Sequence, residues 1–225
     1  MPPSVSVVVP ARNEADYLPA TLASIDALNP DLEEEVIVVD GDSDDATPAI
    51  AREWGARVVE GPGESIADGR NRGADVADGE WLAFVDADTR VRPRFLNTLV
   101  AHAKDRDLAA VSPRCRVTGT RGTAMQVVLN RVFPRLDRPI LPGFALVVDR
   151  AVFDAVGGFP DVPNEDTAFS RLLGREYDTG YHPDVFVETS GRRFADDGLS
   201  GALYHYLWLD WRRLRASGRR TTGNR

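Results

Sequence analysis

The sequence predicts an α/β protein with a mostly parallel central sheet and helices on both faces. Two observations carry that prediction. Short apolar runs rich in β-branched residues alternate with segments of helical period, as in Ser4–Val9, Val36–Val39 and Trp81–Val85. Each of these runs also ends abruptly in polar residues: Pro10-Ala11-Arg12-Asn13-Glu14, then Asp40-Gly41-Asp42-Ser43, then Asp86-Ala87-Asp88. A continuous apolar strand is buried on both faces, as strands of a parallel sheet are. In such a sheet the strand ends lie side by side, so the three polar segments converge on one crevice.

Taken in order, Ser4–Val9 is the first strand, and Leu18, Leu22, Ile25 and Leu28 mark one face of a helix that Asn13 can cap. Val36–Val39 is the second strand. Thr47-Pro48 opens the next helix, with Thr as the cap and Pro in the first turn. Arg57–Val59 is a short third strand, and the Gly61-Pro62-Gly63 loop leads to a helix from Ser65 to about Val76. After Trp81–Val85 and Pro93, a helix runs to about Lys104. In the less regular second half, Ala109–Ser112 and Phe144–Val148 read as strands, and Ala124–Leu136 and Asp166–Leu173 as helices. Gly157-Gly158-Phe159-Pro160 is a tight turn. No repeat or linker divides the chain. The expected organisation is one domain over 1–225, with a nucleotide-binding half (1–90), an acceptor half (91–198) and a C-terminal helix with a basic tail (199–225).

The 225 residues suffice for a substantial core, and 43% hydrophobic with 28% charged residues is ordinary for a globular protein. Cys115 is the only cysteine and there are three histidines, which excludes an intrachain disulfide and leaves little for a zinc site. A net charge of −8 argues against a general nucleic-acid binder. No basic stretch followed by an apolar core opens the chain, and no apolar run approaches the ~20 residues that span a bilayer, so the expected location is cytoplasmic.

Asp86 and Asp88 carry the sharpest chemistry. Two carboxylates at the end of a buried strand repel unless a cation or ligand sits between them. Hard divalent cations such as Mn²⁺ or Mg²⁺ take carboxylate oxygens and share their remaining positions with phosphates. A solvated Asp-rich turn would look the same in isolation; the converging strand ends favour the metal–diphosphate site.

With these motifs in order, the chain resembles a family 2 glycosyltransferase of the GT-A fold. The matching residues are Val7–Glu14, Val38–Thr47, Gly69–Ala74, Phe84–Thr89, Gly157-Gly158-Phe159 and Glu165-Asp166. The resemblance implies a nucleoside-diphosphate sugar, UDP- or GDP-linked, as donor, and Mn²⁺ or Mg²⁺ as cofactor. It implies that Pro10, Arg12 and Glu14 line the nucleoside pocket with Asp42 nearby, that Asp40 accepts a hydrogen bond from the base, and that Arg70 reaches base or phosphate. Asp88 would be the metal ligand and Asp86 would meet the ribose or stand behind the metal. Asp166, second of the acidic pair, would be the base that activates the acceptor hydroxyl. Asn71 and Gly73 would shape helix packing.

One stretch departs from the family's processive members. Their Gln-x-x-Arg-Trp signature is absent, and Thr189-Ser190-Gly191-Arg192-Arg193-Phe194 stands in its place, which favours transfer of a single sugar; the family resemblance implies inversion. This element resembles that of a smaller subgroup. Arg192 and Arg193 either offset diphosphate charge or are surface residues. The Trp- and Leu-rich stretch 199–215, flanked by arginines, either packs on the domain or makes a peripheral contact with the inner face of a membrane, beside a lipid-linked acceptor. The alternatives in function are a sugar-phosphate nucleotidyltransferase, whose Gly-x-Gly-x-Arg loop Pro10–Asn13 lacks, and a non-catalytic GT-A-like binding protein.

Overall fold

The computed structural model describes residues 4–28, 33–119 and 122–191, so Arg192, Arg193 and the stretch 199–225 lie outside the described residues. Eight strands form one sheet. They are β1 (Ser4–Ala11), β2 (Glu33–Asp40), β3 (Arg57–Glu60), β4 (Trp81–Val85), β5 (Thr89–Val91), β6 (Ala110–Thr118), β7 (Ala145–Asp149) and β8 (Thr179–Ser190), in the order β3-β2-β1-β4-β7-β6-β8-β5. The first half is parallel, with β1 between β2 and β4 and β3 beyond β2. β7 inserts antiparallel between β4 and β6, β8 runs parallel to β6, and β5 closes the edge antiparallel to β8.

The alternation of side chains along a strand divides the core into two layers. Val5, Val7 and Val9 of β1 and Trp81, Ala83 and Val85 of β4 face α1 (Leu18–Asp26) and α4 (Phe95–Asp105), packing with Leu22, Ile25, Phe95 and Leu99. Val8, Leu82 and Phe84 face the other side, against Ala67 and Ala74 of α3 (Ile66–Asp75). The aromatic cluster of Phe153, Phe159 and Phe169 also packs there, supplied by α6 (Arg150–Val156), the following turn and α7 (Glu165–Glu176). Phe159 and Phe169 have ring centroids 4.3 Å apart, and Phe84 meets Phe159 edge-on at 5.0 Å.

Several local expectations are corrected. Asn13 does not cap α1. It adopts a left-handed φ of 54°, and its Oδ1 accepts the Asp44 N–H at 2.8 Å, tying the first strand end to the second. Thr47 is the first residue of α2 (Thr47–Glu53) and not its cap; its Oγ1 accepts the Glu14 N–H at 2.8 Å. Both side chains serve neighbouring loops because those loops bring unpaired N–H groups within reach. The single helix expected over Ala124–Leu136 is α5 (Gly122–Val127) followed by a π turn (Val128–Val132) and a 3₁₀ turn (Phe133–Arg135). β5, α6 and β8 were not legible in the sequence. β8 contains Pro183, and register shifts in its pairing with β6 at Pro113–Cys115 absorb the irregularity.

Candidate active site

The carboxyl ends of β1, β2 and β4 lie along one edge of the sheet, and two adjoining cavities open there. The first, about 320 Å³, is lined by Pro10, Arg12, Glu14, Gly41, Gly63 and Gly69 among others. The Gly61–Gly63 loop closes over it: a Cβ on Gly63 would stand 2.2 Å from the Gly41 carbonyl oxygen, so only glycine permits the approach. Arg12 donates to the Gly63 carbonyl at 3.2 Å. Ser65 caps α3 at the rim by accepting the Asp68 N–H at 3.1 Å. Asp40 is buried just behind. Its Oδ2 accepts the Ser43 N–H at 3.2 Å, whereas its buried Oδ1 meets no donor among the described residues. Asp42 is exposed, with φ 63°, and lines neither cavity.

The second cavity, about 230 Å³, shares Ile66 with the first and brings together Arg70, Asp86, Asp88, Asn164, Glu165 and Asp166. Three long-range contacts assemble it. β7 runs back beside β4, so the Pro142-Gly143-Phe144 turn before it meets the end of β4, and the Asp86 N–H donates to the Phe144 carbonyl at 3.4 Å. β5 starts directly after Asp88 and pairs with β8, with the Thr89 and Thr189 hydroxyls 2.9 Å apart and the Ser190 N–H donating to the Asp88 carbonyl at 3.3 Å. α7 begins at the cavity wall with Glu165 and Asp166 in its first turn.

Arg70 joins these walls. Its Nη2 donates to Asp86 Oδ1 at 2.8 Å and its Nη1 to Glu165 Oε1 at 2.5 Å, with its side chain 2% exposed. The guanidinium also lies 5.1 Å from the centroid of the Phe159 ring, a cation–π contact. A Cβ on Gly143 would come within 2.6 Å of it, so glycine there makes room. The family resemblance implies that Arg70 reaches base or phosphate; in the structure its two terminal nitrogens also hold carboxylates. The reason is topological, because residues 70, 86 and 165 are distant in sequence and meet only once α3, β4 and α7 share an edge. Asn71 packs as expected, exchanging two 2.8 Å hydrogen bonds with the backbone of Phe159.

Asp166 is the perturbed acid of the site. Burial, and then the adjacent Glu165 charge, push its carboxyl up to about 6, against the opposing effects of Arg70 and the Gly143 and Thr167 N–H groups. Those N–H groups donate at 3.4 Å and 2.6 Å. The first-turn helix dipole favours a carboxylate here, but burial outweighs it. Cys115, in contrast, is inert: burial pushes its thiol up to about 12.

For a divalent cation the donor set is sparse. Among the described residues no group of three or more His, Cys, Asp or Glu side chains forms a ready-made metal centre, and Arg70 occupies one Asp86 oxygen. Asp88 fits a hard cation as an oxygen ligand only if a phosphate completes the shell. Another depression, about 970 Å³, lies at the opposite end of the strands, around Glu80, Lys104, Asp149 and Arg150, and contains none of these motif residues.

A half-parallel sheet with strand-end cavities, an acidic pair directly after β4 and a second on α7 is the arrangement of a GT-A fold. The chain belongs to glycosyl transferase family 2, whose model matches residues 6–159. Among solved structures, a 1–349 fragment of S. aureus TarS superposes with a TM-score of 0.72 at 22% identity, covering 84% of this chain and 60% of that one. The mannosyltransferase PcManGT from Pyrobaculum calidifontis, solved with GDP-Man and Mn²⁺, superposes with a TM-score of 0.69 at 27% identity, covering 84% and 57%. The succinoglycan biosynthesis protein ExoO of Rhizobium meliloti is 31% identical over 150 residues, which is 63% of this chain and 42% of that protein. A PGL/p-HBAD biosynthesis glycosyltransferase of Mycobacterium bovis is 38% identical over 92 residues, 38% of this chain and 36% of its own length. The chain therefore aligns with less than half the length of these two relatives.

Proposed function

We propose that the chain transfers a single sugar from a UDP- or GDP-linked donor to an acceptor hydroxyl, with inversion, assisted by Mn²⁺ or Mg²⁺. The observation that carries this is the second cavity, where the β4 acids and the α7 acids face one another beside a pocket able to take a nucleoside. Pro10, Arg12 and Glu14 line the nucleoside pocket, and Asp40 Oδ1, buried without a donor, accepts the base N–H. An orphaned buried acceptor costs about 1–3 kcal/mol, which ligand binding recovers. Asp42 lies outside the cavity linings, so it acts only at their rim. Asp88 holds the cation together with the donor diphosphate, and Asp86, pinned by Arg70, meets the ribose. A cation bound there neutralises charge on the departing nucleoside diphosphate. Asp166 takes the proton of the attacking hydroxyl, and a direct displacement of this kind inverts the anomeric carbon. Arg192 and Arg193 follow Ser190, the residue beside Asp88, and we assign them to the diphosphate in the same proposal. PcManGT, solved with GDP-Man and Mn²⁺, supports the donor class and the metal.

A thermal-shift panel tests the donor. A nucleotide sugar at about 100 times its Kd adds about 2.7 kcal/mol of stability, a Tm rise of about 5–10 °C for a chain of this size, and Mn²⁺ should enlarge it. A panel of UDP- and GDP-sugars that leaves Tm unmoved with Mn²⁺ present would reject the proposal. Asp88→Asn should abolish the Mn²⁺ enhancement without lowering the Tm of the unliganded protein, because the lost charge lies at the sheet's rim. Titrating UDP or GDP with and without Mn²⁺ checks it, and an undiminished Mn²⁺ effect in the variant assigns the cation elsewhere.

A further inference from the structure

The segment 122–138, helical as far as Arg135, has two sides with different chemistry. On its inner side Met125 and Leu129 line the second cavity. Side chains fasten it to β6: Gln126 accepts the Val117 N–H at 2.9 Å, while Asn130 accepts the Cys115 N–H at 2.9 Å and donates to its carbonyl at 2.7 Å. Its other side is apolar and basic. Val127, Val132 and Leu136 are 53%, 47% and 40% exposed, three of the six large hydrophobic side chains exposed among the described residues. Arg131, Arg135 and Arg138 are exposed among them, and none makes an ion pair with a described carboxylate. Asp137 is the only acid between 122 and 138. The chain carries a net charge of −8, yet this face sets three arginines without an ion pair among exposed aliphatics.

We propose that this face docks on an anionic lipid surface. Arginine beside exposed aliphatics is the composition that lies in a bilayer interface, with the apolar groups at the acyl boundary and the cations among phosphate headgroups. An acidic protein surface would satisfy the arginines but would leave the valines and leucine without apolar contact; a hydrophobic one would bury the guanidinium groups unpaired. The headgroup region meets both requirements. A helix with its side chains is about 10–12 Å across, so docking would place the cavity one helix width from the lipid surface. Given the proposed sugar transfer, the acceptor hydroxyl would then be borne by that surface, and this last clause rests on the proposed function whereas the docking does not.

Co-sedimentation of the full chain with phosphatidylglycerol vesicles, without donor or metal, tests it. The parent should bind these and not phosphatidylcholine vesicles, and added salt should weaken binding by screening. The triple variant Arg131→Glu, Arg135→Glu, Arg138→Glu should lose at least about 10²-fold in partitioning, since each arginine contributes roughly a factor of five and the glutamates repel, and should keep the parent's Tm because it breaks no ion pair and only one exposed hydrogen bond, from Arg135 to the Arg131 carbonyl. Val127→Ser, Val132→Ser, Leu136→Ser should weaken binding at unchanged charge. Three results would overturn the proposal: a parent that does not bind, a triple arginine variant that binds equally well (which would locate the contact elsewhere, as in 199–215), or a concentration-dependent dimer abolished by the serine variant, which would make the occupant a second copy. Sugar transfer by wild type is measured separately, so failure of docking and failure of the proposed activity are distinguishable.

Discussion

Asp166→Asn should bind nucleotide sugar as the parent does and transfer sugar about 10²–10⁴-fold more slowly, the range that a general base supplies. An amide in the same place keeps the shape of the site and can still accept the Thr167 N–H, giving up the longer bond from the Gly143 N–H, but it cannot take the proton of the acceptor hydroxyl. The pH profile gives a second readout. With the carboxyl of the free protein pushed up to about 6, chiefly by burial, kcat/KM should climb as pH rises through about 6 and level off above it, and that step should vanish in the variant. Stability moves the other way. An acid whose folded pKa lies above its ordinary 3.8 holds more protons folded than unfolded in the window between, so its contribution to stability falls as pH rises through that window. The Asn variant has no carboxyl to titrate, so its stability should lack that fall between 3.8 and about 6, which thermal melts at a series of pH values check. If it instead loses donor binding with its rate otherwise intact, Asp166 belongs to the donor pocket and the base is another group.

Arg70→Met should be the most destabilising single change in the site. Removing one partner of a buried ion pair costs about 3–5 kcal/mol because the other charge stays buried and uncompensated. Here two carboxylates, Asp86 and Glu165, would be left so. For a chain of this size the cost is a Tm loss of about 6–20 °C. Arg52→Met provides the contrast: its pair with Glu60 is exposed, so its loss should cost less than about 1 kcal/mol. Adding Glu165→Gln to Arg70→Met should recover part of the loss by removing one stranded charge. An Arg70→Met protein that melts like the parent but fails to bind nucleotide would make Arg70 a ligand contact, the role its motif implies, and not the clamp between walls.

The two acidic pairs differ in how far the sequence exposed them. Asp86 and Asp88 were legible because Trp81–Val85, buried on both faces, leaves no doubt where the strand stops. Glu165 and Asp166 open a helix, where acids are common for dipole reasons alone, and only the family resemblance singled them out. The orphaned oxygen of Asp40 and the raised pKa of Asp166 had no signal in the sequence, since both depend on what surrounds the group and not on its neighbours along the chain.

The sequence by itself determined the parallel half of the sheet, the polar strand ends and their convergence on one edge. Burial on both faces writes a continuous apolar run, and local turn chemistry ends it. In the other half β6 and β7 were legible, but tertiary structure alone decided their order and the presence of β5 and β8. β8 was hidden by Gly180 and Pro183, and β5 by its three-residue length. Their pairing sets Ser190 beside Asp88. It also decided that Arg70 clamps Asp86 to Glu165 across 16 and 95 residues of chain. A charged side chain is matched to its partners by the strand order, and strand order is a property of the whole sheet that no local window of sequence contains.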